Sequence, residues 1–475
     1  MTDDSKSHIR NAFDPERFRE TGHVLIDQMA DYLTEALQGG PMPVLPWIEP
    51  DAMAAAWPAD FSPEGGEVLN TLMARIIREA NHLHHPRYIG HQVPGPLPVA
   101  ALCDMVASFL NNGMAVYEMG MSGTAMERSV IRWMARSLGF GEPADGVLTS
   151  GGSVGNLTGL LAARQAQAER FPDALPAVLV SDQAHYSVLR AARIMGLGRE
   201  GVETVPSDAG FHMRADLLGE CLKRAEARGR KVIAVVASAC STAAGAYDPL
   251  ERVAEFCEQN GLWLHVDAAH GGAACLSERY RPLLKGIERA DSVVWDAHKM
   301  LLMPALVSSV IFRNGLHSYI AFEDKASYLF ERAGQEEWFN LGHRTIECTK
   351  WMSCLKVYAA LRCFGTRLFG EYIEYSYDLA RRFAEMLRAE PDFELATEPE
   401  SNIVCFRYLP EGVTHPDALQ AAIRKRLISD GSFYIVQTQL RTGLHLRTTI
   451  INPYTEEGHL RGLLEAVRAA GNALR

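Results

Sequence analysis

The chain has 475 residues, 47% hydrophobic and 22% charged, an ordinary globular composition with room for about three domains. Its net charge of −11 argues against nucleic acid as a main partner, because phosphate binding needs a basic face. No apolar run is long enough for a bilayer span, the polar start Met1 to Lys6 leads into no signal-like core, and nine singly placed cysteines suit a reduced compartment, so a cytoplasmic protein without membrane partners is expected.

In chain order, residues 1–88 are expected to form a helical docking segment. Residues 18–37 carry apolar side chains near the helical period, Gly39-Gly40-Pro41-Met42-Pro43 breaks them, and a second helix is predicted over 67–83. Neither could bury a core alone, so this arm is expected to lie on something else, such as a second subunit. From 89 to 370, strands are predicted at 146–149, 177–181, 232–238, 263–266, 292–295 and 306–312. Helices at 156–170, 187–195, 214–227 and 250–260 fall between them, an alternation that predicts an α/β domain with a largely parallel sheet. Residues 351–388 read as long helices that lead into a last domain, 371–475. Its strands are expected near 403–408, 433–437 and 444–450, with a closing helix over 456–474.

In open parallel sheets, ligands bind outside the carboxyl ends of the strands. Five predicted strand ends carry Ser150-Gly151-Gly152-Ser153, Asp182 to His185, Ser241-Thr242, Asp267 and His298-Lys299. The first is a Gly-rich turn before a helix, suited to cradling a phosphate on backbone N–H groups, although a plain turn capped by Ser153 is as good a reading. Asp267 ends a β-branched run, where an unpaired buried acid would be heavily penalised. Lys299 stands between Ser292-Val293-Val294-Trp295 and Met300-Leu301-Leu302-Met303, so it is expected to be partly desolvated, which favours a neutral, nucleophilic amine. An acid and a lysine so placed suit an electron-poor ring: the acid holds a ring nitrogen protonated and the lysine forms a Schiff base. His185 is a candidate to stack on that ring. His265 is expected to pack or to bond backbone. His82-Leu83-His84-His85 has no cysteine or carboxylate at ligand spacing, so no metal site is predicted.

These residues resemble the group II pyridoxal-phosphate amino acid decarboxylases, the family of glutamate, cysteine sulfinate and aromatic amino acid decarboxylases. His85-Pro86-Arg87-Tyr88, Tyr117-Glu118, and the segments 149–164, 181–198, 241–250, 262–272 and 286–300 fit in order. The resemblance implies a type I fold for pyridoxal 5'-phosphate (PLP). That fold has a helical N-terminal arm, a large domain with a mainly parallel seven-stranded sheet and a small α+β C-terminal domain. It also implies a homodimer with active sites at the subunit interface. Carried over position by position, Lys299 resembles the Schiff-base lysine and Asp267 the partner of the ring nitrogen. Ala269 falls where a residue packs beneath the ring, and His185 where an imidazole stacks on its other face. Gly152 and Ser153 match phosphate ligands, with Thr242 near the ring and His298 near the phosphate. Arg447 matches the arginine that takes the substrate carboxylate. The implied reaction is decarboxylation of an L-amino acid to an amine and CO2.

Three features depart from the family's usual pattern. Asp296 stands where Asn is common and Ala297 where Pro is common, so Asp296 is expected to point away from a phosphate or to pair with a base. The stretch 331–340 lacks the loop tyrosine that many relatives carry. That opens a second reading, an aldehyde synthase that couples decarboxylation to oxidative deamination, with His185 or Tyr328 as substitute proton sources. A non-catalytic regulatory protein is disfavoured by the retention of Lys299, Asp267, His185 and Arg447. His91-Gln92-Val93 lacks the bulky residues of the aromatic enzymes, so a small polar or acidic substrate touching His91 is expected.

Overall fold

The computed structural model describes residues 9–57, 59, 61–63, 65–168, 174–322 and 338–474. Seven strands form the main sheet: β1 (Asp145–Thr149), β2 (Leu175–Ser181), β3 (Val202–Val205), β4 (Arg230–Ser238), β5 (Trp263–Asp267), β6 (Ser292–Asp296) and β7 (Ser308–Phe312). Their order is β1-β7-β6-β5-β4-β2-β3, with β7 antiparallel to both neighbours and the other pairs parallel. The strands are buried on both sides, which is why they read as nearly continuous apolar runs. Alternate residues serve two different cores. Leu264, Val266 and Val293 point into one; Trp263 and Val294 point into the other, beneath the helices Gly152–Ala168 and Tyr186–Ile194.

The helix Gly152–Ala168 lies unusually close to the sheet. A Cβ on Gly155 would sit 3.0 Å from a Val294 methyl, and one on Gly159 would sit 2.5 Å from the His265 ring. Glycine at these two positions, four apart and therefore on one helical face, lets the backbone settle directly on β5 and β6.

A second sheet, β10-β11-β9-β8, is built from β8 (Phe393–Leu395), β9 (Ile403–Tyr408), β10 (Val436–Leu440) and β11 (Gly443–Thr449), all antiparallel. The long helix Arg367–Ala389 joins the two halves of the molecule. Phe369, Tyr372, Ile373 and Tyr377 pack in the large core, whereas Ala380, Phe383 and Leu387 pack with Phe406 and Leu446.

The expected 433–437 strand forms later, at Val436–Leu440. The helix expected over 67–83 is Leu69–Glu79, and β7 begins at Ser308 rather than 306. The short strands β3 and β8 were not anticipated. At the N-terminus, the 23-residue helix Pro15–Leu37 buries only Ala36. No helix among the described residues is long and apolar enough to cross a membrane.

A histidine clamp ties the two halves together. His212, in the turn after β3, lies 3.1 Å from Asp208 Oδ1 and 3.2 Å from Glu400 Oε2, the latter just ahead of β9. These carboxylates, Glu400 foremost, raise its pKa from 6.5 to about 9. A folded-state pKa above the unfolded value means stability that is complete below pH 6.5 and is lost as pH rises through about 9. Thermal melts should therefore show the wild type losing about 1–3 kcal/mol more than His212→Gln over that interval. Parallel pH profiles for the two proteins would contradict the clamp.

Candidate active site

The carboxyl ends of the parallel strands open onto a cavity of about 560 Å³ that reaches across to the second sheet. Its wall contains the ten residues to which the resemblance or the substrate reading gives a role: His91, Gly152, Ser153, His185, Thr242, Asp267, Ala269, His298, Lys299 and Arg447. They come from the ends of β5 and β6, the start of the helix Gly152–Ala168, the loops after β2 and β4, the 91–93 segment and β11.

Asp267 ends β5 and is buried. Its Oδ2 accepts a 2.9 Å hydrogen bond from Asn156 Nδ2, and its Oδ1 accepts one of 3.2 Å from the Ala269 backbone N–H. His185 caps the helix Tyr186–Ile194, accepting the Ser187 N–H at Nδ1, which also lies 2.7 Å from Ser187 Oγ. Burial lowers the His185 pKa, opposed by the Asp267 charge.

Lys299 is partly desolvated, as its flanking runs suggested, and it is also paired. Its Nζ lies 3.1 Å from Asp296 Oδ2, and the two side chains are 18% and 3% exposed. This also places Asp296: it pairs with a base, and His298 Nε2 lies 3.7 Å from the same oxygen. Asp296 Oδ1 has no partner, and a Cβ on Gly152 would meet it at 3.0 Å. The Gly-rich turn and the His298-Lys299 segment thus form one polar corner, where the helix start favours an anion.

Arg447, on β11, is 6% exposed and supplies the opposite wall. Its Nη1 donates to the Thr242 carbonyl oxygen, while its Nε is buried without a partner. No carboxylate pairs with it among the described residues, and burial lowers its pKa. A buried guanidinium of this kind is a receptor for an incoming anion. Gln92 Nε2 is a second buried donor on the cavity wall without a partner among the described residues.

Several site residues carried a weaker signal. Asn156, at the start of a predicted helix, carried no sequence signal for a role, yet it touches Asp267. His265 packs, as one of its two expected alternatives has it, in full burial against Gly159, and its ring contacts Asn156 Oδ1 and Ser292 Oγ rather than backbone. A signal was present, because residues two apart on a strand share a face, and His265 precedes Asp267 by two. His270, fully buried with a pKa lowered to about 3, lies 2.7 Å from Asn402 Oδ1 and also lines the cavity. Tyr328 and residues 331–337 of the loop that lacks the usual tyrosine lie outside the described residues. Among the described residues, no three His, Cys, Asp or Glu side chains gather as a metal site.

This donor set fits PLP: an amine for its aldehyde, an acid for its ring nitrogen, and a glycine turn at a helix start for its phosphate. Comparisons with known proteins agree. The pyridoxal-dependent decarboxylase conserved domain matches residues 50–409. The aromatic-L-amino-acid decarboxylase of Bacillus atrophaeus is 30% identical, over 96% of this chain and 95% of its own length. Human cysteine sulfinic acid decarboxylase is also 30% identical, over 93% of this chain and 94% of its own. The crystal structure of mouse CSAD superposes with a TM-score of 0.88 at 26% identity, covering 96% of this chain and 99% of that one. The chain therefore belongs to the pyridoxal-dependent decarboxylase family and is a PLP-dependent carboxy-lyase acting on amino acids.

Proposed function

We propose that the protein decarboxylates a small polar or acidic L-amino acid to the corresponding amine and CO2, with Lys299, Asp267 and His185 as its catalytic residues. The observation that carries this reading is the meeting, in one cavity, of a lysine amine, a carboxylate and a buried guanidinium that has no carboxylate partner among the described residues. PLP, when bound, supplies an aldehyde that takes up amines and a ring that accepts the electron pair left by departing CO2. Lys299 would hold the aldehyde end and Asp267 the protonated ring nitrogen. Gly152, Ser153 and His298 would hold the phosphate, with Thr242, Ala269 and His185 around the ring. Arg447 binds the substrate α-carboxylate through charge-assisted hydrogen bonds and fixes its orientation. The side chains around it exclude bulk water, which strengthens that contact.

The cavity supports a polar or acidic substrate side chain. His91, Gln92 and Val93 line it, and the unpartnered Gln92 Nε2 donor can meet an acceptor. The two 30% relatives differ in the substrate class that their names give, so identity alone does not choose between them. The test is release of labelled CO2 from a panel of carboxyl-labelled amino acids. Acidic and small polar substrates should show at least about tenfold higher kcat/KM than aromatic ones, since a buried donor left unpaired costs about 1–3 kcal/mol. A preference for aromatic substrates would overturn this choice. Because no tyrosine occurs in 331–340, the other product is identified alongside CO2: an amine fits simple decarboxylation, and an aldehyde with ammonia, peroxide and uptake of O2 fits the aldehyde synthase.

A homodimer belongs to the same reading. Phe18 and Phe109 meet with ring centroids 5.0 Å apart yet stay 58% and 70% exposed, and Leu110, next in the chain to Phe109, is exposed too. A second copy would cover this apolar face. Nine unpaired cysteines support a reducing, cytoplasmic setting.

A further inference from the structure

We propose that Asn156 is a positioning residue that couples Asp267 to His185 through a single hydrogen-bond chain anchored at Trp263. The inference rests on the reading of Asp267 as the partner of the cofactor's ring nitrogen.

The chain runs along one face of β5, where Trp263, His265 and Asp267 alternate inward. Trp263 Nε1 donates to Ser292 Oγ at 2.8 Å, and Ser292 Oγ lies 2.7 Å from His265 Nδ1. His265 Nε2 lies 2.9 Å from Asn156 Oδ1. Asn156 Nδ2 then donates twice, at 2.9 Å each, to Asp267 Oδ2 and to Ser187 Oγ. Ser187 Oγ lies 2.7 Å from His185 Nδ1.

The ends of this chain dictate its direction. An indole can only donate and a carboxylate can only accept. With Asp267 accepting, the Asn156 amide must turn its NH2 toward it, because the flipped amide would set two acceptors face to face. Asn156 Oδ1 then faces His265, which must carry its proton on Nε2. Complete burial lowers the His265 pKa to about 4, so the ring is neutral and Nδ1 is a lone pair that accepts the Ser292 hydroxyl. On the other branch, Ser187 Oγ receives Asn156 and gives its own proton to His185 Nδ1. A neutral His185 therefore keeps its proton on Nε2. The close approach at Gly159 leaves His265 no room to turn. One amide on the cavity wall thereby orients both the acid and the imidazole.

Two measurements test this. In the cofactor-free wild type, 15N spectra of the histidines should show His265 as the neutral Nε2–H tautomer from about pH 5.5 to 8. A His265 that titrates in that range, or one protonated on Nδ1, overturns the chain. In the PLP-loaded enzyme, Asn156→Asp sets a carboxylate oxygen against Asp267, so the two acids must share a proton. The 15N resonance of labelled PLP should then move toward its unprotonated position, and kcat should fall roughly tenfold or more with KM within about twofold. A loaded variant with the wild-type resonance and kcat overturns the inference. If Asn156→Asp does not fold or load, the His265 spectrum alone decides. Failure of the underlying reading looks different: the ring nitrogen would be unprotonated in the wild type itself.

Discussion

Replacing Lys299 with alanine is expected to lower turnover by roughly four orders of magnitude or more and to abolish the visible absorbance of protein-bound PLP. The size follows from position. Lys299 is the lysine in the cavity wall, and its amine is held within 3.1 Å of Asp296 at the mouth of the Gly152 turn. Among the described residues no other lysine lines the cavity. The variant should fold, because the lost group faces a cavity rather than a packed core, although Asp296 then keeps only His298 nearby at 3.7 Å. Circular dichroism distinguishes loss of chemistry from loss of fold. A folded Lys299→Ala protein with wild-type turnover would remove the central assignment.

Arg447→Met should be the second largest effect. The guanidinium is buried, donates to the Thr242 carbonyl and has no carboxylate partner among the described residues, so its remaining capacity faces the cavity. Removing one side of a buried, hydrogen-bonded charge pair costs about 2–5 kcal/mol, or roughly 30- to 5000-fold in kcat/KM. Methionine fills similar volume without charge, so the fold should survive and PLP should still bind. A drop in kcat/KM with unchanged PLP absorbance is the expected pattern. Loss of PLP binding without a change in KM would place Arg447 on the cofactor rather than on the substrate.

Much of the fold was legible because its elements obey local rules. The helix Leu250–Asn260 was read to the residue, with Pro249 before it and Gly261 after it at φ 63°, a conformation that ends helices readily. The central strands announced themselves as short apolar runs between turn signals. β3 and β8, four and three residues long, are too short to show alternation. The helix Pro98–Leu110 carries one charge in 13 residues, so no polar face marks its period. The reversed direction of β7 is also written in the chain. The connection between β6 and β7 holds no helix and is too short for a parallel crossover, which needs about a dozen residues or more.

The site was more legible than its wiring. Asp267, Lys299 and the glycine turn stand at strand ends, where sheet topology gathers side chains whatever their distance in sequence. The Asp296–Lys299 pair, three residues apart, depends on how a turn folds, and apolar flanks speak only to desolvation, not to the partner. The Trp263–Ser292–His265–Asn156 chain joins three separated segments, and no single segment predicts it.

The most direct measurement is to load the protein with PLP, reduce it with borohydride to fix the cofactor in place, and map the modified peptide by mass spectrometry. About one equivalent per chain on Lys299 is the predicted result, and Lys299→Ala should take up none at that level. Modification concentrated on any other lysine, or none at all in folded protein, would contradict the assignment of this cavity as the PLP site.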